Sequence, residues 1–245
     1  MPLTWLLALD TSTPATALAL GRLDRERGTS ELVAGVTHDD LARPASSLLA
    51  ARISALLGEA GLTPRDLGAL ACGVGPGTFT GTRVALATAK GLAFALPCPL
   101  HALSTLAALA AGATRDGPVL ALLDARRAEV YAARFELGPA GPRRVGPDRC
   151  CPIEHVLSDL AETPGLHVIG PGAAVHATTL TAAGCTSLQE AAGVEHHGLW
   201  RAAALAALAD APADLASVDA VYLRASYAEL GTNTPRRAPH RSPFL

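Results

Sequence analysis

The chain begins with an apolar run that ends at an aspartate, and the same pattern returns about half-way along. Residues 5–9 are all apolar, which is typical of a buried strand, and Asp10 follows them. A short polar turn and a second apolar stretch come next, so the sequence predicts a β-hairpin over residues 4–22. Residues 119–123 and Asp124 repeat this pattern, with the second aspartate 114 residues after the first. The repetition predicts two related halves.

Helices and further strands alternate along the rest of the chain. Apolar spacing predicts strands over 32–37, 69–73, 130–135 and 167–169, and helices over 45–60, 82–96, 153–161, 199–209 and from Ala173 onward. The stretch 138–150 is rich in glycine, proline and arginine and predicts a loop or an irregular edge. This order of elements favours the α/β class, with two domains whose mixed β-sheets are flanked by helices.

Charge and cysteine content argue against several classes of protein. The 245 residues carry 20 basic and 22 acidic side chains, a net charge of −2, whereas a dedicated nucleic-acid binder needs a positive excess to neutralise phosphates. If the chain serves a nucleic acid, we expect another subunit to hold most of it. The five cysteines include no C-x-x-C pair, which argues against a disulfide framework and against a cysteine zinc site.

The uncharged stretch 91–114 is long enough to resemble a membrane span. Pro97 and Pro99 interrupt it, so we expect the end of one buried helix, a turn and the start of a second helix. The N-terminal residues lack the basic start of a signal peptide. These observations predict a cytoplasmic protein without a membrane segment.

Two segments have the composition of an anion-binding site. The turn Asp10-Thr11-Ser12-Thr13 can hold a phosphate through its backbone N–H groups or a magnesium-bound water through Asp10, or it is an Asx/Ser turn that satisfies its own backbone. The second segment is a loop between a predicted strand and a predicted helix, with Gly75, Gly77, Thr78 and Gly81. Its glycines either let the backbone approach an anion at the helix N-terminus or form a tight turn at positive φ. The loop lacks the Gly-Lys-Ser/Thr ending of a Walker A motif, which excludes that motif.

The turn after Asp124 differs from the turn after Asp10. It carries Arg126 and Arg127 and no glycine. Either Arg126 supplies a countercharge for a phosphate, or this half of the site is degenerate, which is the interpretation we favour. The chain also lacks the Gly-x-Ser-x-Gly and His-Glu-x-x-His patterns of hydrolases. The residues therefore argue against a hydrolase and against a zinc site of this kind.

A row of small residues marks one face of the helix predicted at 82–96. Ala87, Gly91 and Ala95 recur every four residues, so another helix can approach this face closely. That face packs either against the helix at 45–60 or against a partner. For the partner surface, we predict Leu49, Ile53, Leu56, Leu57, Val84, Ala87, Thr88 and Gly91.

Together these motifs resemble the TsaB (YeaZ) family, the dimerisation subunits of the bacterial tRNA threonylcarbamoyladenosine machinery. The resemblance rests on Leu-Ala-Leu-Asp10-Thr-Ser-Thr, Val74-Gly-Pro-Gly-Thr-Phe-Thr-Gly81-Thr-Arg83, Asp124-Ala-Arg-Arg-Ala-Glu-Val-Tyr131 and Tyr222-Leu-Arg224. It implies two actin-like (ribonuclease H-like) domains over 1–104 and 105–230, with the helix at 199–209 packed on the first domain, and a flexible basic tail at 231–245. The chain departs from the family at Pro44-Ala45, where a His-Ser pair is usual, and at Ala128, where a glycine is usual.

The resemblance also implies a role. The chain would be a non-catalytic scaffold that pairs with a catalytic TsaD-type subunit and, with a TsaE-type ATPase, supports transfer of a threonylcarbamoyl group to N6 of the adenosine beside the anticodon. It would have no cofactor of its own, with ATP or ADP at the joint interface, tRNA contact through the complex, and homodimerisation through the same helix face. A remnant nucleotide cleft would be lined by Asp10, Thr11, Ser12, Gly75, Gly77, Thr78, Gly81 and Asp124. The alternatives are an active actin-like small-molecule kinase or ATPase and a glycopeptidase-like hydrolase.

Overall fold

The first half of the chain forms a five-stranded mixed sheet with helices on both faces. A computed structural model describes residues 3–39 and 45–223. The elements in chain order are β1 Thr4–Asp10, β2 Ala15–Asp24, β3 Thr29–Asp39, α1 Ala45–Glu59, β4 Leu67–Gly73 after a short 3-10 turn at Pro64–Asp66, α2 Phe79–Ala95, β5 Leu100–Leu103 and α3 Thr105–Ala111. The strands lie in the order β3-β2-β1-β4-β5. β1, β2 and β3 pair antiparallel, whereas β4 and β5 run parallel to β1.

The second half repeats this arrangement. Its elements are β6 Gly117–Arg126, β7 Glu129–Gly138, β8 Gly141–Arg144, β9 Arg149–Pro152, α4 Glu154–Glu162, β10 His167–Ile169, α5 Pro171–Val175, α6 Ala177–Ala182, β11 Leu188–Gln189 and α7 His196–Leu208. The strands of the second sheet lie in the order β11-β10-β6-β7-β8. Read from β8 to β11, this sheet has two antiparallel pairs followed by two parallel pairs, as the first sheet has from β3 to β5. Strand β9 also pairs with β7. The predicted class of two mixed sheets flanked by helices is confirmed.

The first sheet presents leucines on one face and alanines on the other. Because successive side chains of a strand point to opposite faces, Leu7 and Leu9 of β1 face α1 and α2, whereas Leu6 and Ala8 face the opposite core. Alanines 17, 19, 69 and 71 of β2 and β4 extend that second face. Their small size lets the alanine-rich helix α7, together with α3, pack closely between the two sheets. The alternation therefore builds one core for the first half and a shared core between the halves.

Three predicted features need correction. The stretch 138–150, predicted as a loop or an irregular edge, contains the strands β8 and β9, which both pair with β7, and β8 lies at the edge of the sheet. The apolar stretch 91–114 contains the strand β5 as well as two helix ends. Helix α2 begins at Phe79, earlier than the predicted residue 82, because the Thr78 side chain accepts a hydrogen bond from the Gly81 N–H and caps the helix.

The chain after α7 returns to the first domain. Helix α7 packs on α3 and on the first sheet, and the following segment 210–223 crosses that domain. The Ala213 N–H donates to the Leu100 carbonyl at 2.7 Å, and the Lys90 ammonium donates to the Val218 carbonyl at 3.0 Å. The predicted second domain, which ran from 105 to 230, therefore loses 210–223 to the first. The predicted tail at 231–245 and Arg224 lie outside the described residues.

None of the helices within residues 3–39 and 45–223 is both long enough and apolar enough to cross a membrane.

Candidate functional site

The turn after β1 and the glycine-rich loop after β4 lie directly against each other. β1 and β4 are parallel neighbours, so their carboxyl ends meet at one edge of the sheet. The Thr78 N–H donates to the Ser12 carbonyl at 2.7 Å, and the Thr11 hydroxyl donates to the Gly81 carbonyl at 2.6 Å. The structure thus brings together the predicted cleft residues of both segments.

The glycines of the loop serve this close packing. A Cβ atom on Gly77 would overlap the Ser12 carbonyl, and one on Gly81 would overlap the Thr11 carbonyl. Only Gly75 has the positive φ, +102°, that the tight-turn interpretation required. The turn therefore fills the space beside Gly77 and Gly81.

Asp10 is the most deeply buried group of the site. Its Oδ1 accepts from the Ser12 N–H at 2.8 Å and from the Ser12 hydroxyl at 2.7 Å, and its Oδ2 lies 3.2 Å from the Thr105 hydroxyl. Burial raises the pKa of Asp10, and these hydrogen bonds oppose part of that rise. Asp10, Thr11 and Ser12 are at most 2% exposed, so they line no open cleft.

Sequence reasoning missed two members of this cluster. Thr105, the first residue of α3, places its hydroxyl beside both Asp10 and Ser12. Gly73 ends β4, and a Cβ there would overlap Asp10 Oδ2. The available signal was the Ser104-Thr105 pair before an apolar run, which is the pattern of a helix start: Ser104 accepts from the Ala107 N–H and caps α3.

Asp124 does not belong to this cluster, which corrects the prediction that placed it in the cleft. It is exposed at the end of β6, where its Oδ1 accepts from the Arg126 N–H of its own turn at 2.8 Å. Asp10 makes the corresponding bond to Ser12 but in a buried setting. No three His, Cys, Asp or Glu side chains of the described ranges are placed to share a metal ion.

The turn between β6 and β7 is strained. Arg127 and Ala128 form a two-residue hairpin loop with φ values of +58° and +61°. This left-handed geometry suits glycine and asparagine, and costs an alanine roughly 1–2 kcal/mol. The alanine at position 128, where the family usually has glycine, therefore lowers the stability of this turn.

We expect Ala128→Gly to raise the free energy of unfolding by about 1 kcal/mol, because glycine adopts positive φ without steric cost. Urea unfolding measures the difference. Ala55→Gly is the control, since Ala55 is an exposed residue within α1, and the same change there should lower stability by roughly 0.5–1 kcal/mol. If both variants have a lower free energy of unfolding than the wild type, the turn is not strained at Ala128.

The predicted partner surface divides into a buried part and an exposed part. Four members lie on α1 and are at most 5% exposed, packed into the core of the first domain: Leu49, Ile53, Leu56 and Leu57. They cover the sheet and offer nothing to a partner, which corrects that part of the prediction. Val84 and Thr88 on α2 are half-buried.

The exposed part is one stripe of α2, which we call the α2 face: Ala87, Gly91, Phe94 and Ala95. Phe94 was not among the predicted residues, yet its side chain is 85% exposed. A Cβ atom on Gly91 would meet no atom within 4 Å, so the middle of the stripe is open. An exposed aromatic ring beside small residues is typical of a protein-binding surface.

An aromatic cluster lies at the N-terminal end of the same helix. The rings of Phe79 and Tyr222 stack with centroids 5.5 Å apart, and both are about half exposed. The Arg83 guanidinium lies 3.8 Å from the Phe79 ring centroid, and its Nε donates to the Tyr222 hydroxyl at 2.8 Å. The cluster fastens the segment 210–223 to the start of α2.

Comparisons with known proteins add an independent line of argument. The family model described as "TsaD: tRNA N6-adenosine threonylcarbamoyltransferase" matches residues 29–211. An uncharacterized protein of Mycobacterium tuberculosis is 37% identical over 164 residues, which are 67% of this chain and 71% of the relative. The tRNA threonylcarbamoyladenosine biosynthesis protein TsaB of Bacillus subtilis is 32% identical over 158 residues, 64% of this chain and 66% of the relative. The solved structure of YeaZ from Pseudomonas aeruginosa has a TM-score of 0.74 at 30% identity and covers 90% of this chain and 100% of its own.

Proposed function

The chain belongs to the TsaD family of tRNA N6-adenosine threonylcarbamoyltransferases, among its TsaB (YeaZ) relatives, and we propose that it is a non-catalytic subunit of the complex that makes threonylcarbamoyladenosine in tRNA. In this role it pairs with a TsaD-type catalytic subunit and works in the cytoplasm with a TsaE-type ATPase. The resemblance inferred from the motifs is confirmed by these relatives. The role within the complex is the proposal.

The observation that carries the proposal is the closed state of the Asp10 site. An ATPase or kinase needs its phosphate-facing groups within reach of the nucleotide. Here the turn Asp10-Thr11-Ser12 packs against Gly77 and Gly81 of the glycine-rich loop, and its side chains are buried and bonded within the protein. The corresponding turn after β6 is a strained hairpin with two arginines. As part of this proposal, ATP or ADP binds at a joint face with another subunit rather than to this chain alone.

The α2 face supports the pairing. Its exposed alanine and glycine positions let a partner helix approach closely, and Phe94 offers the large apolar contact that dominates binding energy at many interfaces. The net charge of −2 supports an indirect contact with tRNA, because the chain has no positive excess of its own to hold phosphates. The same face would also serve a homodimer in the absence of the partner.

Reconstitution tests this proposal. The chain is purified, and threonylcarbamoyladenosine formation on tRNA is assayed with the TsaD-type and TsaE-type proteins of the same organism, with and without it. We expect no ATP hydrolysis and no modification by the chain alone, and modification by the mixture only when the chain is present. Turnover of ATP by the chain alone would favour the kinase or ATPase alternative. Full modification without the chain would refute the subunit role.

A further inference from the structure

Three buried oxygen groups form a closed triangle at the end of β1. The Ser12 hydroxyl lies 2.7 Å from Asp10 Oδ1 and 2.8 Å from the Thr105 hydroxyl, and the Thr105 hydroxyl lies 3.2 Å from Asp10 Oδ2. Each of the three residues is at most 1% exposed. The triangle has three oxygen–oxygen contacts, and each contact needs one proton to be a hydrogen bond.

Counting protons shows which form of Asp10 fits this triangle. Each hydroxyl group has one proton to donate. If Asp10 is ionised and both hydroxyls donate to it, the 2.8 Å contact between Ser12 and Thr105 has no proton and brings two lone pairs together. If one hydroxyl donates to the other instead, one contact to the carboxylate loses its proton. An ionised Asp10 therefore always leaves one of the three contacts unfilled.

A protonated Asp10 fills all three. The acid proton on Oδ2 is donated to Thr105, the Thr105 proton to Ser12, and the Ser12 proton back to Asp10 Oδ1. The Ser12 backbone N–H also donates to Oδ1, which keeps that oxygen an acceptor and assigns the proton to Oδ2. A closed ring of this kind strengthens each of its members.

The charges around Asp10 favour the same form. Among the described residues, no basic side chain forms an ion pair with it, and an unpaired carboxylate in an apolar interior is costly. The titratable group that faces it is the Cys72 thiol of β4, a neutral group that donates to the Gly73 carbonyl. Burial raises the pKa of both groups, which favours the neutral form of each.

We propose that Asp10 carries a proton at neutral pH and that the resulting ring fastens the end of β1 to the first residue of α3. Because α3 packs between the two sheets, the ring links the turn of the first domain to the core shared by both halves. Ionisation of Asp10 at higher pH removes one of the three protons and weakens this link. The inference concerns the protonation of the chain itself and does not depend on the proposed role in tRNA modification.

The test compares the wild type with Asp10→Asn, whose amide is neutral and, like the protonated acid, combines an acceptor oxygen with a donor group. Equilibrium urea unfolding of both is measured between pH 5 and pH 7. A proton retained in the folded state stabilises it fully below the unfolded pKa near 3.8 and loses that contribution as pH rises toward the folded pKa. We therefore expect the ratio of the two unfolding constants, wild type over variant, to rise about tenfold per pH unit over this range. All other titrating groups are shared and cancel in the ratio.

Asp124→Asn is the matched control, because Asp124 accepts the corresponding backbone hydrogen bond at the other half but is exposed. The proposal requires the rise measured for Asp10→Asn to exceed the one measured for Asp124→Asn. A flat ratio for Asp10→Asn would overturn the proposal. If Asp10→Asn does not fold, infrared spectra of the wild type in heavy water decide: a carbonyl stretch of a protonated carboxylic acid at neutral pD supports the ring, and carboxylate bands alone refute it.

Discussion

Gly81→Ala is expected to lower the free energy of unfolding by about 3 kcal/mol, the upper part of the usual range for overpacking a well-packed interior. The new methyl group would overlap the Thr11 carbonyl and crowd the Thr78 hydroxyl that caps α2. Both neighbours are held in place, because Thr78 donates to the Ser12 carbonyl and Thr11 donates to the carbonyl of Gly81 itself. The chain can make room only by separating the turn from the loop.

The expected loss of stability for Gly81→Ala is informative because a glycine-to-alanine change in a helix normally raises stability. Gly81 lies in the first turn of a helix, where alanine is intrinsically better than glycine by roughly 0.5–1 kcal/mol. Gly58→Ala in α1 is the matched control, since a Cβ there meets no atom within 4 Å, and it should gain that amount. Urea midpoints at constant m-value give both numbers. A Gly81→Ala protein as stable as wild type would mean that the turn and loop are separate, and the phosphate interpretation of the loop would return.

The strand–aspartate repeat shows what the sequence can predict of this fold. Uninterrupted apolar runs fix β1 and β6 because a strand buried on both faces needs no polar alternation. β5, β8, β9 and β11 were missed because none of them contains an uninterrupted apolar run, and pairing with longer neighbouring strands holds them in place. In these short strands, pairing with the adjacent strand determines the structure more than the local sequence does.

The candidate site was harder to predict for a different physical reason. The Asp-Thr-Ser turn and the glycine-rich loop have the same composition whether they surround a phosphate or each other, since both arrangements need short polar side chains and small residues. Likewise, the leucines of α1 serve a core or a partner with the same apolar area, and the structure assigns them to the core. Phe94 could be separated from them only by the geometry of α2, which turns it outward.

Phe94→Asp is expected to weaken binding of the TsaD-type subunit by roughly 100-fold while leaving the fold intact. The loss follows from the interface: a charge on the α2 face would be buried against a partner without a counter-ion, and an aromatic anchor of this kind often contributes 2 kcal/mol or more, about a 30-fold change, on its own. The fold should be unaffected because the ring is 85% exposed in the isolated chain. Calorimetry of the purified pair measures the affinity, and urea unfolding checks the stability.

Val175→Asp is the control for this substitution, because Val175 is an apolar residue, 62% exposed, on the short helix α5 of the second domain. It introduces the same charge away from the α2 face and should leave the affinity unchanged. Gly91→Leu tests the middle of the face by size alone: its side chain would fill the open space above α2 and prevent close approach of a partner helix. If both α2 variants bind as tightly as Val175→Asp, the partner surface lies elsewhere on the molecule. If they lose binding while the reconstituted mixture loses tRNA modification in parallel, the α2 face is the surface through which this subunit acts.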